Sequence, residues 1–118
     1  MTHAATFATG LVALLHVYFL VLEMFLWTKP YGRRLFRLSE EQARATRVLA
    51  ANQGLYNGFL AAGLAWGLAL GAQGHAIRIF FLGCVMVAGV FGAATVGRKI
   101  LYVQAAPAAL AIALSYLT

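Results

Sequence analysis

The sequence predicts an all-α integral membrane protein, a four-transmembrane-helix bundle with antiparallel up-down connections whose second helix extends into the cytoplasm. Three observations predict it. Of 118 residues, 63% are hydrophobic and only 10% charged, and the mean hydropathy is +0.82, whereas an ordinary soluble domain carries roughly 25% charged residues. The apolar residues gather in four long runs, and a run of more than about 18 is long enough to cross a bilayer. The basic residues fall in the short segments between those runs. A formal charge of +6 would suit nucleic acid if it formed a stripe on a soluble surface, but here it is confined to connections, so its expected role is orientation and nucleic acid is not an expected partner. At this length the chain is read as one domain, residues 1–118.

The first run extends from about Ala5 to Trp27, long enough to span with some tilt. It does not read as a signal peptide, because Met1-Thr2-His3 lacks a positive n-region and the run exceeds a typical h-region. Thr9, His16 and Glu23 recur every seven residues within it, so they lie within about 40° of one another on a helix. Glu23 is the one acid in any apolar run, about a turn before the Trp27 that should mark the membrane interface. Thr28 to Leu38 reads as a loop or interfacial segment in which Pro30 and Gly32 break the helix and a Lys/Arg cluster begins.

Ser39-Glu40-Glu41-Gln42 has the spacing of a capping box, in which the Ser hydroxyl meets an orphan amide and the Gln returns the bond. The second helix therefore starts at about residue 40. With no Pro or Gly before Gly54, it is expected to run unbroken to about Gly71, a length of about 45 Å. Gly71-Ala72-Gln73-Gly74-His75 is a short turn, which makes its flanking helices antiparallel neighbours. The third run, about 76–96, begins near Arg78, whose stem can snorkel to the headgroups. After the turn at Gly97-Arg98-Lys99, the fourth run covers about 100–117 and carries Tyr102, Gln104 and Pro107 in its first half. Cys84, alone in an apolar run, excludes an intrachain disulfide and reads as a small core residue.

Orientation follows from the nine cations. Lys29, Arg33, Arg34, Arg37, Arg44 and Arg47 lie in the first connection, Arg98 and Lys99 in the third, and Arg78 alone near the second. Eight against one is a strong positive-inside bias, so both termini are expected outside the cytoplasm of a bacterial inner (plasma) membrane.

With that topology the unusual residues share the cytoplasmic half of the membrane: Glu23 and His16 on the first helix, Asn52, Gln53, Tyr56 and Asn57 on the second, Tyr102 and Gln104 on the fourth. Asn52 with Tyr56 and Gln53 with Asn57 are i,i+4 pairs on adjacent stripes. The same helix continues into Gly63, Gly67 and Gly71, and Gly54/Gly58 and Gly89/Ala93/Gly97 form further ridges of small residues that let backbones approach closely. Amides in membrane helices often serve as interhelical glue, worth about 0.6 kcal/mol on average. A carboxyl there is costlier, and must be neutral, paired or near water; Arg98 and Lys99 are candidate partners for Glu23. His16 and Glu23 offer two metal ligands, short of the three a catalytic zinc site needs, so no metal or other cofactor is expected. There is no Gly-rich phosphate loop, no Ser/His/Asp set and no second intramembrane acid.

The segments His16-Val17-Tyr18-Phe19, Leu22-Glu23-Met24-Phe25-Leu26-Trp27, Leu49 to Gly63, and Lys99 to Gln104 with Pro107-Ala108 together resemble the bacterial domain-of-unknown-function 1304 family of small integral membrane proteins. The resemblance implies a four-helix membrane protein and no particular activity. Size, span number and a lone Glu in the first helix are also similar to the small multidrug resistance exporters, but those favour dual insertion with little charge bias, against the distribution here. The leading expectation is a small-molecule or ion site open toward the cytoplasm in a carrier or channel, with Glu23 as the proton-linked or cation-binding group. His16, Asn52, Gln53, Tyr56, Asn57, Tyr102 and Gln104 would orient the ligand. Two rival classes are a membrane-embedded enzyme or redox partner for a lipid or quinone, with His16 and Glu23 carrying protons, and a non-catalytic assembly factor. The expected partners are the lipid bilayer, a small-molecule, ion or lipid-like ligand and, if the protein oligomerises, parallel copies of itself.

Overall fold

The structure, a computed structural model, describes residues 2–117; Met1 and Thr118 lie outside them. It is helical, with no strand among the described residues: α1 (His3–Met24), α2 (Pro30–Phe36), α3 (Glu40–Ala45), α4 (Arg47–Ala69), a 3₁₀ turn (Gly71–Gly74), α5 (His75–Thr95), a π-helical turn (Leu101–Ala105) and α6 (Ala106–Tyr116). Two stretches, His3–Met24 and Gly71–Thr95, are long and apolar enough to cross a membrane by length and composition. Leu101–Tyr116 is apolar but shorter, and α4 carries its amides among the apolar residues. The chain forms two compact units, Leu15–Phe59 and the segments up to Leu14 and from Leu60 onward.

In the first unit, Leu15–Phe59, the segment read as a loop contains a helix. Pro30 is its first residue, where the missing N–H would have been unpaired in any case and the fixed φ suits a helix. Gly32 does not break it either; a Cβ there would collide with the Leu26 carbonyl and the Trp27 Cα, so the glycine permits close packing. α2 closes on Arg37, whose φ of 55° is left-handed. The amide of Leu38 donates to the Arg33 carbonyl at 2.9 Å, satisfying an orphan acceptor at the helix end.

The capping box forms in full: the Gln42 amide donates to Ser39 Oγ at 3.0 Å, and the Ser39 amide to Gln42 Oε1 at 2.9 Å. The helix it starts is not unbroken, because a turn at Thr46 separates α3 from α4. The Thr46 hydroxyl donates to the Gln42 carbonyl at 2.8 Å and accepts from Trp27 Nε1 at 2.9 Å. A threonine bonded back onto the preceding turn competes with the regular helix, and here the indole holds that hydroxyl in place. Trp27 thus ties the end of α1 to the α3–α4 junction while its ring stacks obliquely on Phe36, centroids 4.9 Å apart.

In the second unit, Val12 of α1, Leu64 of α4, Leu82 and Val85 of α5, and Ala108 and Ala111 of α6 make a dry core. Arg78 does not snorkel. It is 1% exposed, and its Nη1 donates to the carbonyls of Gly67 and Gly71 at 2.6 Å each. It therefore caps the C-terminal end of α4, where unpaired carbonyls and the helix dipole favour a cation. Gly67 makes this possible, since a Cβ there would stand 2.5 Å from Arg78 Cγ. Gly63 likewise receives the ring of Phe81, so the glycine face of α4 accommodates large side chains of α5, and at Gly67 the α5 backbone as well, the Arg78 amide nitrogen standing 3.1 Å from a Cβ there. Gly89 does meet backbone: its Cβ would lie 2.7 Å from the Ala105 amide nitrogen. The fourth run is not uniformly α-helical, because Pro107 offers no N–H to Val103. The turn before it widens, and Ala106 bonds to the Leu101 carbonyl five residues back.

Candidate functional site

The one acid of the apolar runs meets an amide. Asn57 Nδ2 of α4 donates to Glu23 Oε1 of α1 at 2.5 Å. Two glycines bring the helices close enough: a Cβ on Gly54 would lie 2.6 Å from Met24 Cγ, 3.1 Å from Glu23 Cβ and 3.2 Å from the Leu20 carbonyl oxygen, and one on Gly58 would strike Leu20. The spacing is the reason. Gly54 and Gly58 lie on the stripe facing α1, and Asn57 projects from its edge, so the amide reaches across where the helices come closest.

The pair is half-buried, and the only ion pair among the described residues is Arg44 with Glu40. Glu23 therefore has an amide rather than Arg98 or Lys99 as its partner. One Oε1 bond leaves its carboxyl with further hydrogen-bonding capacity. Asn52, Gln53 and Tyr56, on the neighbouring turns of α4, are exposed, and Tyr56 leans on Phe59 with ring centroids 6.0 Å apart.

Each of the other predicted site residues is placed within its own compact unit. His16 is fully buried, its ring edge-on to Phe19 with centroids 5.3 Å apart, and Thr9 on the same helix is also buried. Tyr102, exposed, and Gln104, half-buried, sit on the π turn in the other compact unit. Sequence reasoning did not foresee the Trp27–Thr46 bond, the hydroxyl contact of Tyr18 with Tyr31 at 2.5 Å or the Arg78 cap. The signal for the last was present: Gly67 and Gly71 precede Arg78 across a short turn, an arrangement that leaves carbonyls open beside a cation.

Fold and site together define a small, all-helical protein with long apolar helices and one half-buried acid–amide pair. The chain belongs to the family described as "Protein of unknown function (DUF1304)", which matches residues 10–116. It is similar to the "Uncharacterized protein YpaA" of Lactococcus lactis subsp. lactis (strain IL1403), 31% identical over 119 residues that cover 98% of this chain and 99% of the relative. No solved structure matches.

Proposed function

We propose that the protein is a single integral domain of four membrane-spanning helices in the bacterial inner membrane, with both termini outside. It would bind or carry a small molecule or ion at a polar site opening to the cytoplasm. The bilayer part is supported by what the apolar helices leave uncovered: Phe7, Leu14, Phe80, Val87 and Phe91 are each more than 60% exposed, and only 33% and 22% of the two most apolar windows are buried. Surface of that kind on two long helices suits hydrocarbon rather than water. Impermeant thiol labelling on intact cells, in a Cys84→Ser background, tests the orientation. Cysteines at Thr2 and Thr118 should react and one at Ser39 should not; the reverse pattern overturns the topology.

The binding part is carried by the Glu23–Asn57 hydrogen bond, beside which Asn52, Gln53 and Tyr56 remain exposed. Polar groups that only glue helices together should be covered by those helices. Glu23 would hold the proton or cation, and Asn57 and Tyr56 would orient the ligand. The test is Glu23→Gln, nearly isosteric and permanently neutral. Proteoliposomes enclosing a pH-reporting dye and challenged with a panel of small organic cations should show pH-dependent flux with the wild type. Glu23→Gln should insert and fold normally but lose the pH dependence, whereas Tyr56→Phe and Asn57→Ala should slow the flux and keep it. A Glu23→Gln protein that is less stable yet retains pH-dependent flux makes the acid a structural clamp.

A further inference from the structure

α2 and the residues just after it form a second candidate site, distinct from the acid–amide pair. Pro30, Arg33, Arg34, Arg37 and Leu38 line an open cleft of about 620 Å³, within the size range of small-ligand sites. No acid lines it, and none of its three guanidinium groups takes part in an ion pair among the described residues. Arg33 Nε is withdrawn from solvent without an acceptor, and a buried donor left unpaired is destabilising. Arg37 has a left-handed backbone, with φ 55° and ψ 47°, the one positive φ among the described non-glycine residues. Glycine is the usual occupant of that position in a helix-ending turn. Here the chain instead places an arginine that lines the cleft, against local backbone preference.

We propose that this cleft binds the phosphate of an anionic phospholipid. Arginine presents a planar fork that pairs with phosphate oxygens through two parallel bonds, and an oxyanion in the cleft would give Arg33 Nε its missing acceptor. The lipid is favoured as the source of the phosphate by what surrounds the cations. Tyr31, Leu35 and Phe36 are each at least 40% exposed on the same short helix, and Trp27 stacks on Phe36. Apolar and aromatic side chains interleaved with arginines suit the headgroup level of a bilayer, where acyl chains and phosphates are both within reach. The inference rests on the bilayer reading for the source of the phosphate and is independent of the role of Glu23. It goes beyond the orienting effect of positive charge, because orientation needs only cations, whereas this site needs the arginine fork.

The experiment uses the full chain in neutral detergent micelles, carrying Trp66→Phe so that emission reports on Trp27. Titration with dioleoylphosphatidylglycerol should give a saturable change with a midpoint at least about tenfold below that for dioleoylphosphatidylcholine, and added salt should weaken it. Arg33→Lys/Arg34→Lys, which keeps the charge and the orientation signal, should lose at least about fivefold in affinity for phosphatidylglycerol. Arg37→Gly relieves the left-handed backbone and so keeps the fold; it should weaken the lipid about fivefold, the contribution of one cation near an anionic surface. Unchanged affinity in the lysine variant reduces the cleft to diffuse charge and overturns the proposal. So does equal binding of the two lipids, and so does inorganic phosphate saturating the site as effectively as phosphatidylglycerol. Any of these, with membrane insertion intact, leaves the bilayer reading standing and removes only this one.

Discussion

Arg78 and Glu23 are both polar side chains set against a glycine of α4, and the molecule treats them differently. Arg78 lies over Gly67, is fully buried and spends two bonds on carbonyls that its own fold leaves open. Glu23 lies against Gly54, is half-buried and shares one bond with Asn57, while three further polar side chains on the same turns face outward. The first arrangement is closed by burial: Nη1 answers a structural need at a helix end, and Nε, though it has no acceptor, is withdrawn from solvent in a side chain that is 1% exposed. The second is open, with acceptor capacity and exposed amides remaining. What separates the two polar residues is access: the bonding capacity left over at Arg78 is sealed inside the fold, while that at Glu23 lies beside exposed side chains.

That comparison can be broken most readily at Arg78. Arg78→Met removes both bonds to buried carbonyls and should lower stability by about 3 kcal/mol, read as the shift in thermal unfolding in detergent; a near-neutral result would mean that the cap is incidental. Gly67→Ala should cost about 1–3 kcal/mol by overpacking, because its Cβ would meet Arg78 Cγ at 2.5 Å and the Arg78 amide nitrogen at 3.1 Å. Gly83→Ala sharpens the contrast: nothing stands within 4 Å of a Cβ there, so the higher helix propensity of Ala should leave stability unchanged or raise it by up to about 1 kcal/mol. Ser39→Ala should cost about 1 kcal/mol through loss of the cap, with faster hydrogen exchange from Glu40 to Ala43. The smallest loss is expected at the open pair, where Asn57→Ala should cost about 0.6 kcal/mol, since the half-buried Glu23 retains access to other donors.

Much of this was legible in the sequence where a signal is local. The capping box at Ser39 and Gln42, the turn at Gly71 to Gly74 and the apolar runs each rest on residues close in the chain. Tertiary contacts were not legible in the same way. Pro30 and Gly32 read as helix breakers because neither the N1 position of the proline nor the packing of Gly32 onto Leu26 appears in a local pattern. The turn at Thr46 is bonded to an indole nineteen residues away, and the fate of Arg78 depends on carbonyls at the end of another helix. At the site, the shared depth of Glu23 and Asn57 could be worked out from the charge bias, and the structure joins them. Depth, the basis for grouping His16, Tyr102 and Gln104 with them, does not specify which side of a helix is covered, and the burial of His16 is a tertiary property.

The central claim is that the exposed side of α4 beside Glu23 meets water and a ligand rather than lipid. Thiol reactivity tests it most directly. Gln53→Cys and Tyr56→Cys, with Val85→Cys as a core reference and all in a Cys84→Ser background, can be treated in inverted inner-membrane vesicles with a cationic methanethiosulfonate that does not enter hydrocarbon. The account predicts reaction at both 53 and 56 and none at 85, where the side chain is fully buried. Silence at 53 and 56 equal to that at 85 would place this face against lipid or another helix and contradict an open polar site.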